Sequence, residues 1–181
     1  MTSESELGQT ILVEVTTSLG AFTLEVFPDA APLSAGNFLD YVDAGFLSEG
    51  SFYRIPTPAN EPHRDYPIEV LQFGWKWIED GKGAPIPPIP LEPTSETGLR
   101  HRKGSVSTAR FERNNGGYGF FICMRDEPEL DEGGRRHPDG AGFAAFGQVL
   151  AGWDTLARIL GRAEAQHMLN TPVPITSARR V

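Results

Sequence analysis

Polar and apolar residues alternate with period two through ILVEVTT (residues 11–17) and AFTLEV (residues 21–26), on either side of Ser18, Leu19 and Gly20. Side chains of a strand point alternately to its two faces, so this pattern predicts a hairpin with one face buried. Leu33, Phe38, Tyr41 and Val42 recur at roughly helical spacing. They predict a helix starting near Pro32, with Asp29 serving its N-terminal end and Gly45 as its stop. Short apolar runs rich in β-branched and aromatic residues predict strands over 51–55, 68–73, 105–108, 119–124, 143–149 and 173–180. Trp153, Leu156, Ile159 and Leu160 put an apolar side on a second helix, over 153–162. Eight strands and two helices without a repeat predict one mainly β unit, a barrel or a sandwich, over residues 10–181, behind a mobile tail of residues 1–9.

Two of these strands are interrupted by a polar residue. In SFYRI (residues 51–55) it is Arg54, and in VLQFG (residues 70–74) it is Gln72. Simple alternation puts Arg54 on the face of Phe52, with Tyr53 and Ile55 opposite. The plainer account of either residue alone is a solvated surface position. The connections at 56–67, 81–98 and 127–142 are long, and loops of such length are commonly functional or disordered. The proline tract of residues 85–93 has P-x-x-P spacing, but reads first as a stiff connector along the surface.

Composition narrows the chemistry. The chain has 181 residues, a formal net charge of −8 and 39% hydrophobic residues. Such acidity lacks the basic footprint of a nucleic-acid binder, and it predicts attraction of basic peptide segments. No run of 18 apolar residues offers a membrane span. The polar, acidic N-terminus does not read as a signal peptide, and Cys123 is the only cysteine, so the expected compartment is the cytoplasm. His63, His101, His137 and His167 stand singly, without the paired spacing of a zinc site, and read as surface or loop histidines. Cys123, inside FFICM, reads as a small core hydrophobe. Asp131 and Asp139 sit in acidic glycine turns without EF-hand spacing.

A third stretch connects Arg54 and Gln72. From Gly104 the chain reads GSVSTARFERNNGGYGFFICM, followed by Glu129-Leu130-Asp131 and by Ala145-Phe146-Gly147-Gln148-Val149. With Phe52-Tyr53-Arg54 and Gln72-Phe73-Gly74 before it, the chain resembles the cyclophilins, the barrel-shaped peptidyl-prolyl cis-trans isomerases, from about Ile11 to Val181. The resemblance implies a closed eight-stranded antiparallel β-barrel capped by two α-helices. It places the family's catalytic arginine at Arg54 and its glutamine at Gln72. Ala109, Phe121, Leu130 and Val70 fall at pocket positions. Arg110 stands where the family has asparagine, and Phe143 where counting back from Phe146 seeks the pocket histidine. About ten extra residues separate Arg54 from Gln72. Glu69 stands at a pocket phenylalanine, Gly119 at a glutamine and Glu129 at a tryptophan.

The implied activity is rotation about X–Pro bonds of proline-containing peptides and unfolded proteins by a monomer, with no cofactor or metal. A cyclophilin-fold binding module with little catalysis is the alternative. Rotation breaks amide resonance across a barrier of roughly 18–20 kcal/mol. As the amide twists, its nitrogen lone pair localises and becomes a better acceptor. A fixed guanidinium aimed at that nitrogen stabilises the twisted state above either planar one.

Overall fold

In a computed structural model, which describes residues 8–78 and 81–181, the chain closes into an eight-stranded antiparallel barrel with strand order β1-β2-β7-β5-β6-β4-β3-β8. The strands are β1 (Ile11–Thr17), β2 (Gly20–Val26), β3 (Ser51–Arg54), β4 (Val70–Gly74), β5 (Ser105–Arg110), β6 (Gly116–Cys123), β7 (Ala144–Ala151) and β8 (Met168–Arg180). Two principal helices accompany them, α1 (Pro32–Asp43) and α3 (Trp153–Leu160), with a single turn, α2 (Thr94–Thr97), in the long central connection. None of the described helices is long and apolar enough to cross a membrane. The expected tail lies mostly outside the described residues. Gln9, at its end, donates its amide to Asp29 at 2.8 Å.

Period-two alternation fills the barrel. Val13 and Val15 of β1, Phe22, Leu24 and Val26 of β2, and Phe120 and Ile122 of β6 all point inward and are buried. α1 closes one end, and Phe38 meets Phe120 edge-on at 5.0 Å and Phe146 at 5.1 Å. Leu33, assigned to the apolar stripe of this helix, is 47% exposed, and Leu39 is buried in its stead. Asp29 does not cap the helix. The free amides of Leu33 and Ser34 donate instead to the Glu92 carboxylate at 3.1 and 2.6 Å. An acidic group at a helix N-terminus satisfies orphan donors and complements the helix dipole. The proline tract that brings Glu92 there is a connector. Ile89 bridges Gly116, and the Leu91 amide donates to the Arg113 carbonyl at 3.1 Å. α3 buries Leu156 and Ile159 and begins at Gly152, whose φ of 97° and whose Cα, tight against Phe22, both exclude a side chain.

β8 begins five residues before the expected start because Pro172 and Pro174 obscured it. Paired to β1 and β3, it accommodates both. β6 begins three residues early, through glycines that have no side chain to reveal a period.

Candidate functional site

Outside the barrel wall lies a second, smaller apolar cluster: Ile68, Val70, Phe121, Cys123 and Leu130, with Ala109 and Phe143 against it. It is made by the other half of the alternation. On β6, Phe120 and Ile122 face in while Phe121 and Cys123 face out; on β4, Leu71 and Phe73 face in while Val70 and Gln72 face out. Ile68, one step beyond Glu69, supplies the wall position expected from Glu69.

β3 departs from this rule. Phe52 pairs with Phe73 and Arg54 with Gln72, so two steps on β3 face one on β4, and the register against β8 breaks at the same point. Such a bulge re-aims the side chains next to it. Phe52 and Ile55 enter the barrel core, whereas the consecutive residues Tyr53 and Arg54 both line the outer groove. Arg54 therefore does not share the face of Phe52, as regular alternation predicted; the bulge turned it outward.

The groove encloses about 320 Å³, and Arg54, Gln72, Phe121, Leu130, Ala109, Val70, Arg110 and Phe143 all line it. Phe121 and Phe143 meet edge-on at 5.7 Å, with Leu130 and Val70 completing an apolar socket. At its mouth Arg54 donates from Nη1 to Gln72 Oε1 at 2.8 Å and from Nε to His167 Nδ1 at 3.3 Å. Its Nη2 stands 3.6 Å from Glu61. Burial, then the charge of Arg136, lower the Arg54 pKa to about 10, which still leaves it cationic at neutral pH. Glu61 comes from the extra residues between β3 and β4, and its side chain is 4% exposed. Burial alone would raise its carboxyl. Two hydrogen bonds from Arg136, at 2.7 and 2.8 Å, and the nearby guanidinium charges outweigh that and hold it below the usual range.

Arg110 lies against the socket wall, its guanidinium carbon 5.2 Å from the centre of the Phe143 ring. Its guanidinium is fully engaged by Asp139, at 2.8 and 2.9 Å, and by the Gly142 carbonyl. Asp139 is thus an ion-pair partner, held well below the usual carboxylate range first by the Arg110 hydrogen bond. Glu129, at the tryptophan position, is paired with Arg135 and does not line the groove. Asp131 likewise serves a protein group. It accepts from the His101 amide and sits 2.8 Å from Nδ1 of the same residue.

His101 lies in the loop before β5, one of the two places expected of it, but it is buried rather than at the surface. Its ring is held between Asp131 and Ser107 and stacks on Phe121 at 5.9 Å. His137 and His167 come from loops but line the groove. Tyr53, Arg64, Arg136 and the exposed pair Trp77 and Phe111 also line the groove without having been expected there, and Glu61 backs it as the ion-pair partner of Arg54 and Arg136. The signal available for Glu61 and Arg64 was the length of a charged insertion beside two candidate residues. Gly119 has a physical counterpart in Tyr53: a Cβ there would stand 2.7 Å from the Tyr53 hydroxyl, which occupies the space a longer side chain would need.

A family model described as cyclophilin type peptidyl-prolyl cis-trans isomerase/CLD matches residues 12–180. Peptidyl-prolyl cis-trans isomerase A of Dickeya dadantii is 31% identical over 173 residues, covering 92% of this chain and 83% of that protein. Peptidyl-prolyl cis-trans isomerase B of Escherichia coli is 26% identical over 164 residues, covering 90% and 92%. In fold, a crystal structure of a Cryptosporidium parvum cyclophilin type peptidyl-prolyl cis-trans isomerase, determined in the presence of the dipeptide Ala-Pro, superimposes with a TM-score of 0.71 at 20% identity, covering 94% of this chain and 98% of that one.

Proposed function

The chain belongs to the cyclophilin-type peptidyl-prolyl cis-trans isomerase family, and from that premise we propose that its outer groove rotates X–Pro bonds of peptides and unfolded or looped protein segments. The observation that carries this reading is the placement of one mostly buried, cationic, hydrogen-bonded guanidinium, Arg54, in the same groove as an apolar socket.

The socket of Phe121, Leu130, Phe143 and Val70 grips the ring while the rest of the amide turns. Rotation makes and breaks no covalent bond, so the work is positioning and electrostatics. Arg54 donates to the pyramidalising nitrogen, and its fork, steadied by Gln72 and His167, does not have to reorganise when the nitrogen becomes an acceptor. Gln72 turns its oxygen to Arg54, which aims its amide nitrogen at the Tyr53 hydroxyl 3.5 Å away and at the substrate backbone beside it. Ala109 leaves room for the residue before proline. The same proposal takes the protein to act as a cytoplasmic monomer that assists folding, for which the acidic composition and single cysteine are the support.

The test is exchange spectroscopy on an Ala-Ala-Pro-Phe peptide. Faster cis/trans exchange at substoichiometric protein is expected. Shifted peptide resonances without faster exchange would mean that the groove holds proline but does not rotate it.

A further inference from the structure

The chain and its groove have opposite charge. The whole chain is formally −8. At the groove wall four basic groups converge on one carboxylate: Arg136 at 2.7 Å from Glu61, Arg54 and His167 at 3.6 Å, and Arg64 at 3.9 Å. Arg136 occupies both carboxylate oxygens. Three guanidinium ions against one carboxylate leave two positive charges. On the far side Arg110 and Asp139 cancel.

Arg64 is the member of this cluster that faces water. Its side chain is 53% exposed, and its contact with Glu61 is the longest of the four. It lines the groove and also an adjoining hollow, which shares Arg64 and His167 and adds His63 and Gln166. Asp65, next in the chain, is exposed and lines neither. Charges within a few ångströms act far more strongly on a bound peptide than charges spread over the surface and screened by salt.

We infer that the groove prefers an anionic side chain, carboxylate or phosphate, on a residue flanking the proline, and that Arg64 recognises it. This reverses the preference for basic segments expected from net charge alone. It rests on the isomerase reading for the location of proline. On that reading the ring sits in the Phe121 socket with its amide under Arg54, in the groove that Arg64 and His167 also line.

The test uses two peptide sets, Ala-Xaa-Pro-Phe and Ala-Ala-Pro-Xaa, with alanine, glutamate, phosphoserine or lysine at Xaa. Catalysed exchange and Kd from shift perturbation are read in parallel. Glutamate at one of the two flanks should raise kcat/KM about fivefold over alanine at low salt, as an ion pair of this exposure allows. Phosphoserine should raise it further, and lysine should lower it. The gain should vanish near 0.5 M salt, and in Arg64→Gln the glutamate-to-alanine ratio should fall to about one. A gain confined to phosphoserine would assign the subsite to phosphorylated segments; a gain shared by glutamate assigns it to carboxylates as well. Equal rates for alanine, glutamate, phosphoserine and lysine at both flanks would overturn the inference while leaving the isomerase reading intact. An anion preference in Kd without faster exchange would do the reverse. A preference unchanged in Arg64→Gln would overturn the role of Arg64.

Discussion

Arg54 Nη1 donates to Gln72 Oε1 at 2.8 Å, between two residues that face each other across β3 and β4 where the β3 bulge breaks the register. The bulge sends the arginine out of the barrel, and the glutamine fixes it once there. Arg54→Ala removes the donor and leaves Glu61 with its two bonds to Arg136. The variant should lose about a hundredfold in kcat/KM, the order lost with a preorganised transition-state donor. Thermal unfolding should show a folded barrel. Arg54→Lys should recover little, since an ammonium lacks the fork that meets Gln72 and His167 together.

Glu61 is the common counter-ion of Arg54, Arg64 and Arg136. Glu61→Gln keeps the shape but leaves those cations to repel one another in a partly desolvated cluster. Removing one partner of a buried ion pair costs about 3 kcal/mol. A loss of that order in urea unfolding is expected, together with a fall in kcat larger than the change in KM, because Arg54 loses its alignment rather than the groove its proline socket. Unchanged stability would show that Arg136 and Arg54 do not depend on this carboxylate.

Gly119 and Tyr53 form a testable pair. Gly119→Ala would put a methyl 2.7 Å from the Tyr53 hydroxyl. Overpacking of this kind costs about 1–3 kcal/mol. In a Tyr53→Phe background the obstructing oxygen is gone, so the same substitution should cost measurably less. A double-mutant cycle by chemical denaturation reads the coupling, and additive costs would show that the two positions are independent.

His167 links the site to pH. Its Nδ1 accepts from Arg54 Nε only while that nitrogen carries no proton. Burial first, and then the Arg54 charge, hold its pKa below the ordinary 6.5, against the opposing pull of Glu61; Arg64 also faces it and lowers it further. A folded value below the unfolded one means the native state binds fewer protons. The associated stability is present above 6.5 and is lost as pH falls through the folded value. Isomerase activity should therefore stay level from pH 8 to 6.5 and decline at lower pH. In His167→Gln, which keeps an acceptor, the decline should shrink. A profile identical in both proteins would disconnect His167 from Arg54.

Strands with regular alternation were legible because burial on one side is written directly into residue type, as in β1 and β2. The motif around Phe121 likewise brought Ala109, Phe121, Leu130 and Phe143 to one groove. What escaped was decided by tertiary events without a local period. A bulge reversed the facing of Arg54, a carboxylate 58 residues away capped α1 at Ser34, and a loop carried Glu61 under Arg54. The burial of the loop residue His101 left no mark, because a lone histidine gives no sign of the aspartate 30 residues later that holds it.

β4 and β6 each contribute one set of residues to the barrel interior and the intervening set to the groove. Natural selection can therefore revise what the protein grips by changing every second residue, while the residues between them, which keep the barrel folded, stay as they are. A lineage could exchange one clientele for another through outward positions of β4 and β6 and through Arg64, while the inward residues that fill the barrel stay unchanged.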